Sequence, residues 1–219
     1  ARAHAKLRVT ENSDLDVAFH HYNSIIGIDD GLISGTFRTD PNRNTRSNQQ
    51  VVNTRYTLAL AEGWQQHLQY SLFHDSNVAI DPRNPGVTTG ADPESKLQLN
   101  ANRHNIEYQS DFFIHDFDVL TVGYELEHSA IKSKSTSTYD QLTRNHAWFV
   151  QNELTLWEIW TLVAGIRLDQ HELYGFEASP LFSTGVWIAK TQTKLKGSYG
   201  KGFRAPTFAE AFGGQTRGF

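Results

Sequence analysis

The residues of this 219-residue chain that could do chemistry are ten histidines and a scattered set of carboxylates and cations. His20 and His21 adjoin within an alternating segment, so their side chains leave opposite faces and cannot both ligate one metal. His67, His74, His104, His115, His128, His146 and His171 show no shared ligand spacing on one face, which reads as polar lumen or rim residues rather than a metal or haem site. Asp29, Asp30 and Asp40 fall in one long polar stretch and could gather around calcium, which takes several carboxylate and carbonyl oxygens; the alternative is a solvated acidic loop. No Ser-His-Asp arrangement, phosphate-binding loop or paired catalytic carboxylate stands out, and a chain without cysteine has no thiolate nucleophile. The residues make no case for an enzyme.

The elements that must position these groups are strands. Leu15, Val17 and Phe19 alternate with Asp16, Ala18 and His20. Val52, Thr54, Tyr56 and Leu58 alternate with Asn53, Arg55 and Thr57, and Leu120, Val122, Tyr124 and Leu126 with Thr121, Gly123, Glu125 and Glu127. In the segment 162–168, Leu162, Ala164, Ile166 and Leu168 oppose Val163, Gly165 and Arg167. One face is apolar and the other wet, and Arg55, Glu125, Glu127, Glu153, Arg167, Asp169, Lys194 and Lys196 all belong to the wet one. Short connections at 11–14, 61–64, 113–118, 156–160 and 189–193 alternate with long polar ones at 29–49, 75–95 and 131–144. The rhythm predicts about ten strands of around ten residues in five hairpins, with tight turns on one rim and long loops on the other.

A soluble β-sandwich binding module would alternate as well. Strand length and loop asymmetry favour an outer-membrane barrel, as do Trp64, Phe112, Phe113, Phe117, Trp157 and Trp160 near the short turns, where an interfacial girdle would lie. With 20 basic and 24 acidic residues the formal charge is -4, which gives no general attraction to nucleic acid. No apolar run is long enough for a membrane-spanning helix. The chain has no methionine, so its ends are expected to be cuts in something longer.

Near the C-terminus the pattern becomes specific. "AGIRLDQH" at 164–171, "SPLFSTGVWI" at 179–188 and "TKLKGSYGKGFRAPTFAEAF" at 193–212 resemble the barrel of TonB-dependent outer-membrane receptors. In that family a Gly-aliphatic-Arg-x-Asp strand leads through a Ser-Pro hairpin to Tyr-Gly, Gly-Phe-Arg-Ala-Pro-Thr and an acidic helical turn. Gly165, Ile166, Arg167, Asp169, Ser179, Pro180, Tyr199, Gly200, Gly202, Phe203, Arg204, Ala205, Pro206, Thr207 and Glu210 fill those positions here.

The resemblance implies that residues 1–219 are part of an antiparallel transmembrane β-barrel of the 22-stranded plugged type, roughly ten of its strands. The N-terminal plug and remaining strands would lie outside this chain. It further implies the bacterial outer membrane, contact with its lipid, a ferric siderophore, cobalamin or haem as ligand, and TonB as partner through the plug. Arg204, Phe203, Glu210, Arg167 and Asp169 become the ligand-facing or plug-facing candidates, since a guanidinium grips anionic groups bidentately. A passive outer-membrane channel or an adhesin barrel would share the hairpin rhythm. Pro206, lacking an amide hydrogen, is expected to end the last strand, and Thr207 with Glu210 has the spacing of a capping box.

Overall fold

The computed structural model describes residues 1–27, 31–33, 36–38, 42–83, 94–134 and 139–206. Ten strands form one antiparallel sheet whose spatial order follows the chain. They are β1 (Arg2–Thr10), β2 (Ser13–Gly27), β5 (Asn44–Ala61), β6 (Trp64–Asp81), β7 (Ser95–His115), β8 (Asp118–Lys134), β9 (Tyr139–Leu156), β10 (Trp160–His171), β11 (Gly175–Ile188) and β12 (Thr193–Gly200). A separate short hairpin, β3 (Gly31–Ile33) with β4 (Thr36–Arg38), lies between β2 and β5 in the chain.

The central strands are longer than the sequence rhythm suggests. β5 to β9 run 17 to 21 residues, whereas about 9–11 tilted residues cross a bilayer. The excess comes from polar residues that loop composition had assigned to connections. They pair because their side chains satisfy one another across the ladder: Ser76 donates to Asn100 at 2.7 Å and His74 bonds Asn102 at 2.6 Å. Hairpins therefore continue past the apolar band into the polar zone.

Which face is inside follows from crowding. On a curled sheet the concave side brings side chains together and the convex side spreads them apart. Asp111, Ser129, Ile131, Ser133, Thr143, Ala147, Asp169 and His171 are buried, and the register puts them all on the wet face. Leu68, Ile106, Tyr108, Trp148, Val150 and Ile166, on the other face, are exposed. The polar face is the lumen wall and the apolar face looks outward, the arrangement of a membrane barrel.

Three expectations are corrected. Long loops do not alternate with short turns throughout, because β10 and β11 join on the long-loop rim through a turn at 172–174. Ser179 and Pro180 do not form a hairpin; they sit inside β11 opposite Arg167 and Ile166. Pro180 is tolerated there because its carbonyl accepts from the Lys201 amide at 3.0 Å. In an antiparallel strand, N–H and C=O of one residue point to the same neighbour, so its missing donor faces the end of β12 and costs β10 nothing. The last strand ends at Gly200, ahead of Pro206. The capping-box pair Thr207 and Glu210 lies outside the described residues, as do Asp29, Asp30 and Asp40.

Candidate functional site: the lumen wall and its rim

Arg167 and Asp169 stand two residues apart on β10, which puts both on the lumen face. The Arg167 Nε donates to both Asp169 oxygens at 3.2 Å, and Nη1 reaches Glu125 Oε2 on β8 at 2.7 Å. Asn145 on β9 donates to Asp169 at 3.0 Å, and Asn105 on β7 donates to Glu125 at 2.7 Å. Four strands are thereby tied by one network in which both carboxylates and the guanidinium are satisfied.

The network depends on small residues beneath it. Glu125, Ala147 and Asp169 are direct cross-strand neighbours on β8, β9 and β10. Ala147 is fully buried, since the Arg167 side chain crosses above it to reach Glu125. In the adjacent row Gly123 pairs with Phe149, and a Cβ on Gly123 would fall 2.1 Å from the Phe149 ring. The aromatic ring lies flat over the glycine.

A second lumen network was not read from the sequence. Asp111 on β7 accepts from Gln109 at 2.9 Å and Thr121 at 2.7 Å, and pairs with His67 Nε2 at 3.1 Å. The other nitrogen of that ring bonds Thr57 at 3.0 Å. Towards the last strands, Glu153, Thr161, Ser183, Lys194, Lys196 and Ser198 line an open depression of the wall.

Phe203 is half-buried and Arg204 exposed, beyond β12 on the long-loop rim and apart from the Arg167 network in the chain. Glu210 lies outside the described residues. Lys201 of the same segment pairs with Glu177 at 2.9 Å, which ties the exit from β12 back to β11. No group of three or more histidines and carboxylates that could hold a metal occurs among the described residues.

The histidines divide by face. His67 and His171 belong to the lumen wall, whereas His104, His128 and His146 stand outward beside Ile106, Leu126 and Trp148. The alternation carries the signal, since Val122, Tyr124, Leu126 and His128 share one parity. At the opposite rim Trp64 stacks on Phe112 and Trp157 on Trp160. Their indole N–H groups donate to hydroxyls on the same outward face, Trp64 to Ser110 at 2.7 Å and Trp160 to Thr184 at 2.8 Å.

An antiparallel sheet with an apolar convex face, a charged concave wall and an aromatic rim defines an outer-membrane β-barrel protein. Residues 4–218 match the family model described as TonB dependent receptor-like, beta-barrel, and the chain belongs to that family. Its family is one of outer-membrane receptors and transporters rather than enzymes. The iron-regulated outer membrane virulence protein of Vibrio cholerae serotype O1 is 33% identical over 96 residues, 42% of this chain and 15% of that protein. The siderophore receptor PirA from Pseudomonas aeruginosa superposes with a TM-score of 0.62 at 17% identity, over 94% of this chain and 33% of PirA. The RagAB peptide importer gives 0.64 at 11% identity, over 91% of this chain and 31% of that one. The unliganded ferric citrate transporter FecA gives 0.58 at 11% identity, over 84% and 33%. The chain thus spans about a third of the length of these structures.

Proposed function

We propose that this chain is barrel wall from a plugged receptor of the 22-stranded type, driven by TonB and importing a ferric siderophore. The observation that carries the reading is the Arg167–Glu125–Asp169 network on the lumen face of a family member. A wall whose charges are held in place offers fixed hydrogen-bonding groups to a globular domain inside the barrel, and a lipid-filled or side-chain-filled interior would have no use for them. Iron as the cargo rests on the name of the Vibrio cholerae relative, with cobalamin and haem as the other ligands of this receptor class.

Ligand capture is assigned to the long-loop rim, where Phe203 and Arg204 emerge from β12. A guanidinium there can grip the carboxylate or other anionic groups of a metal chelate. Transport needs no covalent step: binding shifts the plug between two arrangements, and TonB supplies the work.

The test is uptake of radiolabelled iron by cells lacking the native gene, with and without the full-length gene restored, in strains with and without TonB. Uptake of one ferric siderophore that needs both genes supports the proposal. Uptake of cobalamin or haem instead would replace the cargo but keep the class. Ion conduction by the purified full-length protein, with uptake independent of TonB, would make it a passive channel.

A further inference from the structure

Gly185 on β11 leaves a gap in the lumen wall at its tight-turn end. Its cross-strand neighbours are Thr161 on β10 and Lys196 on β12, and the next lumen row towards the long loops places Ser183 beside Ser198. A Cβ on Gly185 would lie 3.5 Å from the Lys194 Cε and 3.8 Å from the Lys196 Cγ. Both lysine stems therefore run past the glycine, and the space it vacates belongs to a depression of about 450 Å³. That volume suits a small molecule. Thr161, Ser183 and Ser198 supply hydroxyls around it, and Glu153, from β9, lines the side away from the lysines.

The two ammonium groups set this depression apart. Arg103, Arg167 and Lys201 each stand within 3.5 Å of a carboxylate on the wall. Lys194 and Lys196 are exposed and make neither an ion pair nor a hydrogen bond with any described residue, and Glu153 pairs with neither of them. Positions 194 and 196 share the lumen face about 7 Å apart. Two point charges at that spacing engage two separate carboxylates better than the two oxygens of one.

We propose that the depression is an exit-side site for an anionic, carboxylate-bearing metal chelate, one carboxylate on each of Lys194 and Lys196, with the hydroxyls of Thr161, Ser183 and Ser198 on its remaining oxygens. The inference rests on the reading of this wall as a transport path. It adds a stopping point at the inner mouth, since the short turns of such barrels face the periplasm. Glu153 keeps the site weak: a like charge beside the anion shortens its stay, and cargo in a passage must be held loosely enough to leave. The space is larger than one carboxylate side chain fills, which favours a chelate over an acidic residue of the receptor itself.

The experiment is lysine footprinting. The full-length receptor in detergent is reductively methylated in the presence of ferric citrate, neutral ferrichrome or sodium sulfate of matched ionic strength, and labelling rates are read by peptide mass spectrometry. Millimolar ferric citrate should slow labelling of Lys194 and Lys196 by at least about threefold, while Lys190, in the turn outside the depression, stays unchanged. Absence of that protection would overturn the proposal. Equal protection by ferrichrome, which has no carboxylate, or by sulfate, which would reduce the effect to charge screening, would overturn it too. Lysines already unreactive without a chelate would belong to an internal ion pair, with the same consequence.

Gly185→Leu fills the floor and keeps both lysines, so protection should be lost; its persistence would refute the site. Should that variant lack the heat-modifiable gel shift of a folded barrel, Glu153→Gln alters an exposed side chain only. Protection should then rise about twofold, and an unchanged or lower value would refute the site. Iron uptake reads the transport function separately. Protection without TonB-dependent uptake would keep the site and remove the transport reading, and uptake without protection would do the reverse.

Discussion

Arg167 on β10 meets Glu125 on β8 at 2.7 Å, spanning the full width of β9 between them. The pair is a staple across three strands rather than a contact between neighbours. Arg167→Ala would leave the Asp169 carboxylate, which is almost wholly shielded from solvent, with Asn145 and the solvent as its remaining partners. The expected loss is about 1–3 kcal/mol, since stranding a shielded charged group costs more than its pairing gains. Arg167→Lys should recover only part of it, because a single ammonium cannot serve Glu125 and both Asp169 oxygens together. Urea unfolding of the full-length receptor from detergent micelles measures both.

Ala147 sets the height at which that staple crosses. Ala147→Leu would raise a branched side chain between Glu125 and Asp169 and force Arg167 to choose one of them. Overpacking of this kind costs about 1–3 kcal/mol. A double-mutant cycle with Arg167→Ala separates the two effects: most of the Ala147→Leu penalty should vanish when Arg167 is already gone. Full additivity would mean that the methyl group matters only for sheet packing.

Gly123 and Phe149 form the parallel case without charge. A valine at 123 cannot coexist with the ring in its present place, so Phe149 must lift into the lumen. The expected cost is about 1–3 kcal/mol, and Gly123→Val with Phe149→Ala should be more stable than Gly123→Val alone. Urea midpoints of the three variants decide it.

The turn between β9 and β10 carries strain that sequence composition hides. Trp157 and Glu158 both adopt positive φ, 50° and 61°, where a side chain costs about 1–2 kcal/mol relative to the right-handed region. Glu158→Val should destabilise by about 1 kcal/mol because β-branching worsens the same clash. Glu158→Asn, a residue at ease in this region, should be neutral or stabilising, as read from the same unfolding curves.

Ser110→Ala removes the acceptor of the Trp64 indole, bonded at 2.7 Å in a part-buried setting. A loss of about 1 kcal/mol is expected. Trp64 should also change its environment, and a shift in its fluorescence emission in the folded barrel, read against a Trp64→Phe control, checks it.

The hairpin rhythm and the two faces were legible because a period of two residues is a local property, visible in Leu162 to Leu168 without any partner strand. That Arg167 and Asp169 share one face was legible for the same reason, though their ion pair was not. Glu125 as the third member was not, because its place opposite Ala147 depends on the register of β8 on β9 and β9 on β10, a non-local fact. His128 was within reach of the pattern, since continuing the alternation one step past Leu126 sends it outward. What obscured it was chemistry: a histidine on a lipid-facing surface contradicts the rule that the outside is apolar, and the rule fails where hydrocarbon gives way to headgroups. The turn at 172–174 was missed because nothing in Glu172, Leu173 and Tyr174 resembles a glycine- or asparagine-rich hairpin, and only Gly175, with φ of 77°, relieves the chain there.

Phe149 and Arg167 both lie along the wall, one over Gly123 and the other over Ala147, instead of standing out from it. Relief on that stretch of the inner surface is therefore shallower than the side chains that compose it. For a passage whose circumference is fixed by its strands, recumbent side chains widen the clear bore without lengthening the perimeter. They also give the inner surface a smooth, hydrogen-bonded relief in place of a row of upright cations and rings.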